Sequence, residues 1–458
     1  MGRLFDPSDG TVRLAPLIAG TVALAALSLL FPSSPTYDPW AWIVWGREVL
    51  HLDLSTVDGP SWKPLPVLFT TPFALFGDAA PQLWLIIARA GAIAAVVLAF
   101  AVGRRLGGVV AGGAAAGALA LAPWFVRNSA LGNSEGLMAA CVLGAIDRHL
   151  AGKHRQAFLW GVAAALMRPE AWAFLGLYAA WLLYRERRAV VPVLAGGIGC
   201  LPILWFLPEY WGSGNFNRAA DRAQQPLSNS AAFSERPWAK VFENAADMLT
   251  VPLWIGLGLG VALVVARRVE RQKVLAAGGI ALLALLWVAE VSYMTEHGYS
   301  GNQRYLIIPI VLAIVAASAG VGWLVEAVPR ATAIAAAAGV VAAALFAAPS
   351  YADLGDLERS LRYQGRLPHQ LADAIEDAGG ADRLKRCGQA FTSPFLVPAV
   401  AWQLDVHTTK VGLDARPPAV VFRVKVNGRA RATPTLKGLT REHTLGKAPN
   451  WRIVGQCR

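Results

Sequence analysis

Charge is scarce in this chain. Asp, Glu, Lys and Arg make up 16% of its 458 residues, against about 25% in an ordinary soluble domain. With 55% of residues hydrophobic, the shortage excludes a disordered chain and points to a protein that crosses a membrane several times. Cysteine is scarce too. The four present show no CxxC and no Cys/His spacing, so nothing reads as a zinc module. Cys141 and Cys200 fall in apolar runs and read as small core residues. Cys387 and Cys457 fall in the polar C-terminal part, where a disulfide is expected. The N-terminus lacks a small-residue cleavage site, so the first apolar run reads as a retained helix. Acids are the scarcer charge, 30 against 42 Lys and Arg, a formal net charge of +12. In a membrane protein that excess reflects loops crowded with Lys and Arg on one side, and no nucleic-acid partner is inferred.

What is present in abundance is apolar sequence. About eleven runs are long enough to be spans of roughly 17–25 residues. They lie near 14–31, 82–102, 108–126, 134–149, 156–168, 171–184, 190–208, 250–267, 274–294, 305–325 and 331–348. The fifth and sixth are short and meet at Arg168-Pro169-Glu170, as tilted or re-entrant helices would. Alternate loops carry Arg104-Arg105, DRHLAGKHR, YRERR, RRVERQK and Arg330. Their density of Lys and Arg assigns them, with the N-terminus, to the cytoplasm. The remaining loops, 32–81 and 209–249 above all, then face outward, as does the C-terminal region.

That region, 349–458, changes character. A helix is expected over 369–379, a hairpin about Asn427-Gly428 within AVVFRVKVNGRARATPTL, and a strand over NWRIVGQC. The expected architecture is an all-α polytopic membrane module over 1–348, with a long first external loop over 32–81 and a small extracytoplasmic α+β domain over 349–458. The excess of Lys and Arg in this domain hints at an anionic surface.

Ionisable groups at membrane depth are costly unless they serve a cavity. The outward loops therefore hold the candidate chemistry. Loop one opens with YDPWAWIVWGREVLHLD, which reads as an amphipathic helix along the membrane surface. Asp38 followed by Pro39 fits an N-cap and first helical residue. A cap uses one carboxylate oxygen, so the same Asp38 remains available as a base.

The order of these residues resembles the GT-C glycosyltransferases, and within them the protein O-mannosyltransferase and lipid A aminoarabinose transferase family. Asp38 in YDPWAW matches the family's first-loop acid, and Lys63 in WKPLP its basic residue before a proline-rich turn. Arg89 resembles an Arg partway into span two. Glu135 in NSEGL matches the acid after span three, and Arg304-Tyr305 in QRYLIIP the motif opening a late span. The resemblance covers roughly 14–325 and departs at Trp62 and Pro39, where the family often carries acids. Pro39 leaves a two-acid metal site unsupported, and no cofactor is assigned.

The resemblance implies transfer of a mannose- or arabinose-like sugar from a polyprenyl-phosphate donor to an acceptor hydroxyl, with inversion, at the outer face of a bacterial plasma membrane. Such transfer needs a base for the acceptor proton and cations for the leaving phosphate. Asp38 is the candidate base and Glu135 a second catalytic acid. Lys63, Arg304, Tyr305 and Arg168 are candidate phosphate or donor ligands. Tryptophans such as Trp40 suit a sugar site, because an indole stacks on sugar C–H faces. The acceptor is left open among glycan, lipid and protein. The competing reading is a transporter or flippase of lipid-linked sugars, which would favour inverted repeats and polar residues at the midplane. A third is an assembly protein that binds cell-wall polymer through the C-terminal domain.

Overall fold

The computed structural model describes residues 4–6, 8–327, 332–416, 418–434 and 443–456, without side chains at 332–338 and 340–353. The chain is predominantly helical. Helix α1 is Leu14–Leu27, α2 Tyr37–Leu50, α3 Pro64–Phe73, α4 Ala80–Ala120, α5 Pro123–Ala130, α6 Glu135–Leu150 and α7 His154–Ala165. There follow α8 Ala171–Glu186, α9 Val191–Ser213, α10 Arg218–Ala223, α11 Pro237–Met248, α12 Val251–Val265, α13 Arg271–Glu296 and α14 Ile307–Ala327. The last helices are α15 Thr332–Asp377, α16 Ala381–Cys387 and α17 Val397–Leu404.

Helix α4 is two arms. Gly107 and Gly108 leave helical geometry, Gly108 at φ 74°, and the chain doubles back. A Cβ on Gly103 would stand 2.9 Å from the Ala111 carbonyl oxygen, so the arms touch through glycine. Helix α14 lies at the centre, buried almost without interruption from Ile307 to Trp323. It packs on α4, α12 and α13. Ile18, Leu177, Val261 and Leu275, on helices around it, are more than half exposed. An exposed apolar belt of this kind marks a surface that meets lipid.

Among the described residues, four helical segments are long and apolar enough to cross a membrane, or up to six if each bent pair counts as one. The expected figure of about eleven is not confirmed. The fifth expected span is the 12-residue α7 and the sixth the 16-residue α8, shorter than the roughly 20 residues a bilayer core needs.

Loop one departs from expectation. Residues Tyr37–Leu50 do form a helix, but Thr36 occupies the N-cap and Asp38 is the second helical residue. The helix is not a surface helix either. Trp40, Trp42, Trp45 and Glu48 are all buried, between α3 on one side and α17 on the other. Trp40 is covered by Trp402 of the C-terminal segment, Trp42 by Trp84 and Trp45 by Trp62, partners that a local hydrophobic pattern does not reveal. Trp42 meets Trp84 edge-on at 5.5 Å, and Trp45 donates to the Ser55 carbonyl at 3.0 Å.

The C-terminal segment carries a five-stranded sheet of β1 Gln389–Phe391, β2 Val411–Gly412, β3 Ala419–Val424, β4 His443–Ala448 and β5 Trp451–Gln456. Its order is β2-β1-β3-β5-β4, parallel between β1 and its two neighbours and antiparallel elsewhere. Helix α15 runs unbroken to Asp377 and packs its far half on β4 and β5. The turn at Asn427-Gly428 is present, with Val424 and Thr433 exchanging hydrogen bonds across it. The ladder partner of β3 is β5 rather than the arm after that turn. Cys387 is disulfide-bonded; Cys457, its expected partner, lies outside the described residues.

Ionic contacts fasten this segment to α2. Arg47 meets Asp405 at 2.8 Å and lies 5.2 Å over the Trp402 ring. His407 sits between Glu48 at 2.8 Å on Nδ1 and Asp53 at 3.1 Å on Nε2. Burial pushes the Glu48 carboxyl up, opposed by the Ser55 N–H and His407.

Candidate active site

Several element ends converge beside the start of α2. The Thr36 hydroxyl donates to Asn133 at 3.0 Å and its N–H to the Leu131 carbonyl at 3.1 Å, which sets Asp38 beside the first residue of α6, Glu135. The Leu65 N–H donates to the Leu166 carbonyl at 3.1 Å, which sets Lys63 beside Arg168. Asn302 accepts the Arg304 N–H at 3.0 Å and starts the tight turn that opens α14.

The side chains form one network. Arg304 donates Nη1 to Asp38 Oδ2 at 3.0 Å and Nε to Glu135 Oε1 at 3.0 Å. Its Nη2 lies 2.9 Å from the same Glu135 oxygen but is not aligned to donate to it. Arg168 donates Nη2 to Glu135 Oε1 at 2.7 Å and Nη1 to Glu170 Oε1 at 3.1 Å. Its guanidinium also lies 4.4 Å over the Tyr305 ring. Lys63 Nζ donates to Ser134 Oγ at 3.3 Å and stands 5.1 Å over Trp42. Asp38, Lys63, Glu135, Arg304 and Tyr305, named through the resemblance, and Arg168, named as a further candidate ligand, lie together. Trp40 does not join them. It is buried against Trp402, with ring centroids 6.4 Å apart. Arg89 also lies elsewhere, donating to Ser28 and Ser33 at the start of loop one.

The network is buried yet incompletely satisfied. Glu135 is fully buried, and Arg168 and Glu170 are nearly so. Even so, Glu135 Oε2, Glu170 Oε2, Arg168 Nε and Arg304 Nη2 have no hydrogen-bond partner among the described residues. Buried polar atoms are ordinarily paired, so four unpaired ones in one cluster indicate a place for a ligand. Lys63 is the cation left without a direct carboxylate partner. Burial, together with the charge of Arg168, pulls its ammonium down to about 8.

A cavity of about 1130 Å³ opens above these groups. Asp38, Lys63, Arg168, Glu170, Arg304 and Tyr305 line its floor, with Trp62, Trp172 and Trp205 beside them. The outer wall comes from the loop over 209–249. Arg218 anchors it, donating to the Gly59 carbonyl at 3.0 Å and pairing with Glu209 at 3.6 Å. Phe395, from the C-terminal segment, completes the rim against Tyr37 at 6.1 Å. Sequence reasoning missed Phe395, and the Lys63–Trp42 contact with it; neither has a local signal, since their partners are distant in the chain.

Among the described residues, no group of three or more His, Cys, Asp or Glu could hold a metal ion. The floor acids each face an arginine, and Pro39 stands beside Asp38, so these residues do not fit a divalent cation and no step is derived through one.

No protein-family model matches the chain, and no curated protein matches it. Solved structures do. ArnT from Cupriavidus metallidurans in the apo state is similar at a TM-score of 0.58 and 14% identity, over 96% of each chain. The same protein bound to undecaprenyl phosphate gives 0.57 and 15%, over 96% of this chain and 98% of that one. The Archaeoglobus fulgidus oligosaccharyltransferase, in complex with Zn and sulfate, gives 0.51 and 13%, over 88% of this chain and 62% of that one. The chain shares the fold of these structures. Within it, loop 32–81 and the turn that opens α14 contribute to the floor of the cavity, and α17 packs on α2.

Proposed function

We propose that the chain is a membrane glycosyltransferase that takes a sugar from a polyprenyl-phosphate donor and transfers it to an acceptor hydroxyl. The observation that carries this is the cavity floor, where three cations and an available carboxylate surround unpaired hydrogen-bonding atoms. The ArnT of similar fold has been crystallised bound to undecaprenyl phosphate, which supports a lipid phosphate as the ligand.

In this reading the donor phosphate seats on Lys63 and Arg304. Arginine binds phosphate through parallel hydrogen bonds and lysine as a point charge. Arg304 Nη2, unaligned with any acceptor, is free to take a phosphate oxygen. Asp38 accepts the acceptor hydroxyl proton. The acceptor oxygen forms its bond to the anomeric carbon as the bond from that carbon to the phosphate oxygen breaks. The phosphate leaves with the electron pair, and the cations stabilise the charge as it develops. Displacement from the opposite face inverts the anomeric centre. Glu135 holds Arg304 and Arg168 at their spacing and is a positioning residue in this scheme. The acids and cations of the floor balance before the donor binds, so the phosphate must draw cations away from carboxylates. That competition frees Asp38 from Arg304 when the donor arrives.

The prenyl chain follows an apolar groove of about 540 Å³ between α6, α7, α8 and α13, lined by Phe174, Leu175, Ile280 and Trp287. It begins at Ala171, next to Glu170 of the floor. We place the floor at the extracytoplasmic face, because loops rich in Lys and Arg gather at the other ends of the helices.

The reading is tested by giving membranes that contain the chain a radiolabelled polyprenyl-phosphate sugar. Label moving from lipid into a saccharide, lipid or protein product is the expected result. Intact labelled lipid crossing the bilayer with no transfer to any product would contradict it and favour a flippase.

A further inference from the structure

Resting on the transfer reading, we infer that the acceptor is a neutral saccharide chain, held by the outer half of the cavity. The volume of about 1130 Å³ exceeds the roughly 300–1,000 Å³ of a site for one small molecule. A donor headgroup at the floor therefore leaves room above it. The walls of that room are chemically unlike the floor. Asn217, Gln225, Asn229 and Asn244 line it, and none of their side-chain amides makes a hydrogen bond with the described residues. An amide both donates and accepts, which matches a sugar hydroxyl that does the same. Ser230 adds a hydroxyl oxygen that is buried and has no partner among the described residues.

Charge favours a neutral acceptor over the alternatives. The two cations of this upper wall, Arg222 and Lys240, are already engaged. Arg222 donates to the Gly59 carbonyl at 3.1 Å and the Gln225 carbonyl at 3.3 Å, and Lys240 to Glu243 at 2.9 Å. An anionic acceptor would have to compete with these contacts for Arg222 and Lys240. A cationic one would find no acid, since the carboxylates lining the cavity, Asp38 and Glu170, lie at the floor. Two aromatic faces stand where sugar rings would stack. Phe216 lies flat on Tyr210 at 4.3 Å, and Phe395 is 63% exposed at the rim. Among the described residues, no strand edge lines the cavity, so a peptide could not add itself as a strand. The sugar hydroxyl that reaches Asp38 is then the terminal one of a chain lying along the amides.

The test uses the full chain in lipid nanodiscs with decaprenyl-phosphate mannose and decaprenyl-phosphate arabinose, both radiolabelled. Acceptors are neutral mono- and trisaccharides of mannose and arabinose, a Ser/Thr-rich peptide and an anionic phosphoglycolipid. The expected result is label in a neutral trisaccharide, with a KM about tenfold below that of the monosaccharide. The double variant Asn217→Ala, Asn229→Ala is expected to raise the acceptor KM about tenfold while kcat holds. Label confined to the peptide or the anionic lipid, donor turnover without label in any neutral saccharide, or a double variant with unchanged KM would each overturn the inference. Absence of any donor turnover, hydrolysis by water included, would instead overturn the transfer reading beneath it.

Discussion

Helix α6 carries a buried acid near each end, and the two are put to different uses. Glu135 opens the helix and Asp147 lies near its far end; both are fully buried and both are paired with arginine. At the Asp147 end, both carboxylate oxygens are taken. One accepts from Arg105 at 3.0 Å and the other from the Val12 N–H at 3.3 Å, while Arg148 donates to the Val12 carbonyl. That end fastens the N-terminal segment to the bundle. At the Glu135 end, one oxygen is shared by two arginines and the other has no partner. Its neighbours face a cavity. A buried charge is therefore not in itself the mark of a site. The mark is a buried charge whose neighbours retain unused hydrogen-bonding capacity toward open space.

That contrast predicts opposite consequences for variants at the two ends. Arg304→Ala removes the cation bonded to both Asp38 and Glu135, and it is expected to lower kcat by roughly 10³–10⁵, as for other arginines that meet a developing phosphate charge. Single-turnover transfer of labelled sugar checks it, and a loss below tenfold would undo the distinction. Asp147→Asn is expected to act on stability alone. Breaking a buried pair costs about 3–5 kcal/mol, so thermal unfolding in detergent should shift down while kcat per folded molecule stays within twofold of the native value.

Donor affinity gives a pH signature to the floor. Lys63 is held down to about 8 by its burial and the charge of Arg168. Below that pH it is an ammonium able to hold a phosphate, and it loses its proton as pH rises through about 8. Undecaprenyl-phosphate affinity should fall up to about tenfold per pH unit above that point. Lys63→Met should bind more weakly and lose this dependence. The smallest effect belongs to Lys153→Met, at the Asp147 end. Its pair with Asp9 at 2.6 Å is partly exposed, so less than about 1 kcal/mol of stability is expected to go. A loss of transfer in this variant would show that the fastening end also serves the chemistry.

Much of the floor could be read from the sequence, because its members sit at the ends of apolar runs where ionisable groups stand out. Asp38 was legible for that reason, and Lys63, Glu135 and Arg304 were named through the motifs of the family they resemble. Arg168 was legible as a candidate ligand, but its pairing with Glu135 was not, since 33 residues separate the two. The burial of Trp40, Trp42 and Trp45 was not legible, because the rings that cover them, Trp402, Trp84 and Trp62, lie elsewhere in the chain. Nor was the division into spans. The break at Gly107-Gly108 falls at the edge of the expected run 108–126, whereas the short α7 and α8 are helices too brief to settle as crossings by length.

The most direct test of the floor as the seat of transfer is Asp38→Asn, read by two assays on one preparation. Asparagine keeps the shape and the contact with Arg304 but is a far weaker base, so donor binding should stay within a few-fold while the transfer rate falls by roughly 10²–10⁴. Transfer at the native rate with Asn at position 38 would contradict the account, because the proton would then be leaving to some other group.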